Sequence, residues 1–158
     1  MNGIIIIIPR HIDRASEIKE EIEKVGLKVH LHSSGRKIDN KTDIYLVDTF
    51  GETKLFLKIC KIVFLGGSLI QHGGQNPLEA ARLGCKVIHG PNITNFLEVY
   101  SLLNKNNISS KIRTISQAKS IVQKNLSNKF SSKKIIKKLN SIGNEVLFKN
   151  QKEINKYI

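Results

Sequence analysis

Residues 66–84 read GGSLIQHGGQNPLEAARLG and hold five of the chain's eleven glycines. Where side chains are missing, a ligand phosphate can approach backbone N–H groups, so Gly66, Gly67, Gly73 and Gly74 suit the surroundings of an anion. Ser68 and His72 can add hydrogen-bond donors. Asn76 is a favoured helix N-cap, Pro77 fits the first helical position, and Glu79 stands where a capping box places its acid. The stretch therefore predicts a two-turn helix ended by Gly84. Its N-terminus would point back at the glycines, and its partial positive charge favours phosphate. Glu79 can instead accept from ribose hydroxyls. One glycine pair alone is best read as a tight turn. Two pairs beside a capped helix favour the anion reading.

Two other segments carry similar chemistry. PRHIDR (residues 9–14) gathers Arg10, His11 and Arg14, a cationic cluster suited to an anion. In DTFGE (residues 48–52) Gly51 admits close approach, and Glu52 either binds a hydroxyl or caps the following helix. No GxxxxGK[ST] is present, which excludes a P-loop, and GGSLIQHGG does not match GxGxxG. His30 and His32 alternate on one strand face without a third or fourth ligand, so they read as structural and no metal site is expected. Ser68 has no base beside it in a nucleophile motif.

The elements that must position these residues alternate. Strands are expected at 4–8, 27–31, 43–47, 62–65, 86–88 and 110–114. Helices are expected at 13–25, with Ile18, Ile22 and Val25 on one face, and at 52–60, with Leu55, Phe56 and Ile59 as its stripe. Others are expected at 76–84, 95–103, 116–126 and 131–148. This order predicts an α/β fold with a Rossmann-like, doubly wound, mainly parallel sheet and closing C-terminal helices. A single domain over residues 1–158 is expected, with a helical basic tail from about residue 116. The IIIII run at residues 4–8 reads as a fully buried strand. Such sheets bind ligands beyond the carboxyl ends of their strands, where the glycines fall.

Composition narrows the partners. The net charge of +13 is uneven: residues 1–103 hold 13 Lys and Arg against 11 Asp and Glu, whereas residues 104–158 hold 13 against 2. A basic tail suits nucleic acid, an anionic membrane surface or a phosphorylated lipid, and also reads as the solvated face of lysine-rich helices. Cys60 and Cys85 are too few for a disulfide framework and read as reduced core thiols in a cytosolic protein. The apolar run is too short to cross a bilayer.

Taken in order, PRHIDR, DTFGE, FLGGSL, HGGQNPLEAARLG and HGPNITNF resemble the 3-deoxy-D-manno-octulosonic acid (Kdo) transferases of lipopolysaccharide synthesis, over roughly residues 4–103. These are glycosyltransferases of the GT-B fold, built from two Rossmann-like domains. The resemblance implies that this chain is the C-terminal, donor-binding domain, with the N-terminal acceptor domain absent from it. It implies CMP-Kdo as donor, a lipid A precursor as acceptor, and an inverting reaction needing neither cofactor nor metal. The general base would be a glutamate of the N-terminal domain, so no catalytic residue is expected here and this chain alone would be inactive. By the same resemblance Arg10, Phe50, Gly51 and Glu52 would line the nucleotide. Gly66, Gly67 and Ser68 would meet phosphate, Asn76 and Glu79 phosphate and ribose, and His72, Gly73 and Gly74 the sugar. Many members have methionine at the position of Phe50, and arginine at that of His32. The full-length enzyme would sit at the cytoplasmic face of the bacterial inner membrane, with this segment soluble.

Three other readings stand beside it. They are a UDP-sugar-dependent GT-B glycosyltransferase, a non-catalytic nucleotide-binding module, and a nucleic-acid binder. The last leaves the glycine loops unexplained and offers no recognition motif, so nucleic acid is not an expected partner.

Overall fold

The computed structural model describes residues 3–127 and 131–157. The chain divides into two compact units, residues 1–56 and 57–158. Each is built on a three-stranded sheet in which every observed pairing is parallel. Strands alternating with helices give the α/β architecture that the hydrophobic runs predict. Within the first unit β1 pairs with β3, and within the second β4 pairs with β5.

In the first unit, β1 (Ile5–Ile7), β2 (Val29–Leu31) and β3 (Ile44–Leu46) lie in the order β1-β3-β2. Ile44 sits opposite both Ile5 and Val29, and the central strand buries Ile44 and Leu46. Helix α1 (Ala15–Lys24) follows a short 3₁₀ turn. It ends where Gly26, at φ +83°, donates to the Glu23 carbonyl at 2.9 Å. Val25 belongs to this cap rather than to the apolar face, and is 73% exposed.

Helix α2 (Thr53–Ile59) corrects its expected stripe. Phe56 and Leu57 are buried, whereas Leu55 and Ile59, four residues apart on another face, stand exposed. Helical periodicity allowed either face, and the residues beside the strands decide which one is covered.

In the second unit, β4 (Ile62–Leu65), β5 (Lys86–His89) and β6 (Ser109–Lys111) pair in sequence order. All four residues of the central strand β5 are buried. Around it pack α3 (Leu78–Arg82), α4 (Leu97–Lys105) and α6 (Ser132–Ile154), which give Ala80, Ala81, Tyr100, Leu103 and Ile135 to one core with Val87 and Ile108. Helix α5 (Ile115–Ser127) precedes α6. Cys85 is fully buried in this core, and desolvation pushes its thiol up to about 11, the state of an inert packing residue.

Candidate functional site

The residues singled out by sequence fall into two groups, one in each unit, at the carboxyl ends of the strands.

In the second unit, the chain leaves β4 directly into Gly66. The loop that follows is fixed to the segment after β5 by a set of hydrogen bonds. The Ser68 hydroxyl donates to the Leu65 carbonyl at 2.7 Å and accepts from the Gly90 N–H at 2.8 Å. The Ser68 carbonyl accepts from the Asn92 N–H at 2.9 Å, and that of Gly73 from the Asn95 N–H at 3.3 Å. The Tyr100 hydroxyl donates to the Gln75 carbonyl at 2.9 Å, and burial pushes its pKa up to about 12. The loop is therefore ordered before any ligand arrives.

This placement changes the role of Ser68. Its side chain is wholly buried, with its hydroxyl spent on two backbone groups of the fold, and is not turned toward a ligand. A small hydroxyl beside two glycines gives no sequence sign of which way it faces.

The glycines also separate by cause. Gly73 and Gly74 have φ +77° and +74°. A Cβ on Gly73 would collide with the Asn95 side chain, and one on Gly74 would lie 3.0 Å from the Asn92 carbonyl oxygen. Both are glycines by requirement of the fold. Gly67, at φ +73°, lies beside His72, which is exposed. Gly66 differs from these: its φ is not positive and a Cβ there would meet nothing within 4 Å.

Asn76 and Glu79 lie exposed at the start of α3. The Asn76 side-chain oxygen accepts from the Leu78 N–H at 3.0 Å, so it does cap the turn, although the cap position of the helix itself falls on Pro77. Glu79 completes no capping box: α3 has no side-chain cap bond. With five residues in place of two turns, α3 brings little dipole to bear, and the donors able to meet an anion are the loop amides.

In the first unit, Arg10 follows β1 and is exposed, while Arg14 is committed to Glu17 at 3.0 Å. Phe50 is 87% exposed, and Gly51 turns the chain at φ +85°. Glu52 is held within the unit. Its carboxylate accepts from the Thr49 hydroxyl and lies 3.0 Å from His32 Nε2, while His32 Nδ1 meets the Tyr45 hydroxyl at 2.6 Å. The Thr49 bond, opposed by partial desolvation and aided by His32, holds the Glu52 carboxyl below its ordinary pKa. Neither Glu52 nor His32 was legible as half of a pair, since twenty positions separate them.

Asp48 is the acid that sequence reading passed over. It binds the Ser33 N–H at 2.8 Å and the Ser33 hydroxyl at 2.5 Å, tying the end of β3 to that of β2. Burial pulls its pKa up, but the bonds from Ser33 outweigh this and hold it below the ordinary value. A depressed carboxyl stabilises the fold above its unfolded pKa of about 3.9, and that stability is lost as pH falls through the folded value. Thermal melts between pH 3 and 7 should thus be flat at the upper end and fall below about pH 4. Asp48→Asn should flatten the acid limb, and an unchanged slope would remove Asp48 from the account.

Among the described residues no three His, Cys, Asp or Glu side chains converge on a point where a metal could sit. A depression of about 540 Å³ follows α6 beside Lys133, Lys137 and Asn140, and includes none of the loop residues above.

No family model matches the chain. Among curated proteins it is 29% identical over 150 residues to the 3-deoxy-D-manno-octulosonic acid transferase of Haemophilus influenzae, an alignment covering 95% of this chain and 34% of the relative. It is 34% identical over 131 residues to the probable mitochondrial 3-deoxy-D-manno-octulosonic acid transferase of Arabidopsis thaliana, covering 80% of this chain and 29% of that one. The chain thus spans about a third of the length of the curated relatives it matches. Its structure superposes on the C-terminal CMP-Kdo binding domain of WaaA from Acinetobacter baumannii with a TM-score of 0.79 and 27% identity, covering 88% of this chain and 72% of the other. From the ordered motifs, these relatives and the shared fold, the chain belongs to the 3-deoxy-D-manno-octulosonic acid transferase family and corresponds to its C-terminal domain.

Proposed function

We propose that this chain binds the donor CMP-Kdo, as part of a glycosyltransferase that passes Kdo to a lipid A precursor. Gly66 is the observation that carries this reading. The fold explains Gly73 and Gly74 by crowding and backbone conformation, but it makes no such demand at Gly66. A glycine kept bare at the carboxyl end of a parallel strand, in an ordered loop, suits a phosphate approaching the main chain. As the sugar leaves, negative charge grows on the CMP phosphate, and N–H donors already fixed in place stabilise growing charge without reorganising. His72 and Asn76, exposed on the same loop, are placed to supply side-chain contacts. The acceptor, the catalytic base and an N-terminal domain belong to the remainder of the family's polypeptide in this reading. The transfer is inverting and uses no metal.

The direct test is an NMR titration of the chain with CMP, against UMP and UDP. CMP is expected to bind best and to shift the amides of Gly66, Gly67, His72 and Asn76. Stronger binding of UDP would move the assignment to a UDP-sugar enzyme. No shift with any nucleotide would overturn nucleotide binding by this chain.

The membrane-facing part of the proposal rests on α6, whose sequence has six lysines against two glutamates. From residue 143 to the end of the helix every side chain is exposed, including Val146, Leu147 and Phe148. An amphipathic basic helix of this kind suits an anionic lipid face such as the cytoplasmic leaflet. No helix among the described residues is long and apolar enough to cross a membrane. The chain is expected to sediment with phosphatidylglycerol vesicles and not with phosphatidylcholine ones. Replacing Lys133, Lys134, Lys137 and Lys138 by glutamine should cut that binding by at least about tenfold, at roughly 1 kcal/mol per lysine near the surface. Equal binding to both vesicle types would end the idea.

A further inference from the structure

The segment after β5 carries a side chain whose chemistry the fold does not use. Asn95 is the middle residue of the 3₁₀ turn Thr94–Phe96. Its backbone is held on both sides. Ile93 is buried, and Phe96 packs against the core and donates its N–H to the Ile93 carbonyl at 2.9 Å. The Asn95 N–H itself donates to the Gly73 carbonyl at 3.3 Å. The side chain is held as well. A Cβ on Gly73 would overlap Asn95 Nδ2 and would lie 2.7 Å from Cγ and 2.9 Å from Oδ1, so the whole amide lies across the bare Cα of that glycine.

Asparagines elsewhere in the chain spend their amides locally. Asn76 and Asn104 accept through Oδ1, from the Leu78 N–H and the Ser109 hydroxyl, while Asn106 and Asn125 donate through Nδ2 to carbonyls of their own helices. Among the described residues neither Oδ1 nor Nδ2 of Asn95 makes such a bond, and the residue is exposed. Glycine at position 73 leaves room for this amide, and glycine loses more freedom on folding than any other residue. A polar group fixed in one direction, with its bonding capacity unspent, is preorganised to meet a ligand.

Its neighbours indicate which part of a ligand it meets. A Cβ on Gly67 would lie 3.9 Å from the His72 side chain, so a phosphate on the Gly66 and Gly67 amides has His72 beside it. Asn95 stands one residue further along, over Gly73. Its Nδ2 offers two N–H donors and its Oδ1 an acceptor, the complement of a ring that bears both a carboxylate and hydroxyls. We propose that Asn95 is a specificity-determining residue for the donor, its Nδ2 donating to the carboxylate of the acidic sugar that the phosphate carries. The inference rests on the donor-binding reading of the chain, and its test can fail independently of it.

That test is isothermal titration of the full chain and of its Asn95→Leu variant with CMP and with CMP-Kdo. Leucine has nearly the shape of asparagine, so it keeps the cover over Gly73 and removes only the polar atoms. Affinity for CMP should stay within about twofold of the parent, and affinity for CMP-Kdo should fall at least about tenfold, as for the loss of one hydrogen bond to a charged group. Asn95→Asp should lose at least as much, since one carboxylate would then face another. In the parent, the side-chain amide resonances of Asn95 should move with CMP-Kdo and stay in place with CMP. Equal losses for both ligands would make Asn95 a support of the loop and overturn the proposal. So would CMP-Kdo affinity that Asn95→Leu leaves intact, or that Asn95→Asp retains. Each of these outcomes, obtained while the parent binds CMP, rejects the role of Asn95 alone. A parent that binds neither ligand rejects the donor reading, and this inference with it.

Discussion

Gly90→Ala is expected to destabilise the second unit by about 3 kcal/mol or more, at the upper end of overpacking effects. The added methyl would overlap the Ser68 carbonyl oxygen, with the Ser68 carbonyl carbon at 2.5 Å and the Leu69 nitrogen at 2.8 Å. All three are backbone atoms, so no side-chain rotation relieves the collision. Nor is the loop free to retreat. Ser68 is fixed through its hydroxyl to Leu65 and Gly90, and through its carbonyl to Asn92. Separating the two segments would leave the Gly90 N–H and the Ser68 carbonyl without partners, each costing about 1–3 kcal/mol. Urea unfolding should show a large fall in midpoint with little change in slope. A midpoint matching the parent would mean that the loop gives way easily, contrary to its bonding.

Gly66→Ala should do the opposite. Stability is expected to stay within about 0.5 kcal/mol of the parent, since the methyl meets nothing and the backbone is in an ordinary conformation. CMP affinity should fall about tenfold, equivalent to about 1.4 kcal/mol, because the same methyl stands between the loop amides and an approaching phosphate. Isothermal titration of both proteins checks this. Unchanged affinity would place the phosphate elsewhere and remove the main support for the donor reading. A fall in stability matching the fall in affinity would make Gly66 structural. The two glycines lie at the ends of adjacent strands, yet the fold demands one and makes no such demand at the other.

Sequence reading located all six strands because parallel strands are written as short runs such as IIIII, DIYLV and KIVFL, bounded by turn residues. It located the loop cluster because glycine pairs at strand ends are visible in one dimension. What it missed was decided in three. Ser68 is inward because Gly90, twenty-two positions later, needs a partner. Glu52 is occupied because β3 and β2 are neighbours and bring His32 to it. Helix α3 is shorter than its caps suggest, with the cap position at Pro77 and the closing turn at Leu83. Local capping preferences set a helix end only within a residue or two. The isoleucine run was expected to be fully buried, whereas Ile4 and Ile5 are exposed and the three that follow are half-buried.

Helix α6 is tied down by Ile135, with Leu139 packed against the core, and is uncovered from Gly143 onward. The anchored half acts as a ready nucleus, so the overhanging turns form by propagation alone and escape the nucleation penalty. Gly143 sits at the seam, and a helical glycine weakens propagation there by about 1 kcal/mol relative to alanine. Melting of the outer turns is thus uncoupled from the cooperative unfolding of the unit, and such helix–coil relaxation takes on the order of a microsecond or less. The overhanging turns, with two lysines against two glutamates, can re-form on a surface they meet without the core registering the event.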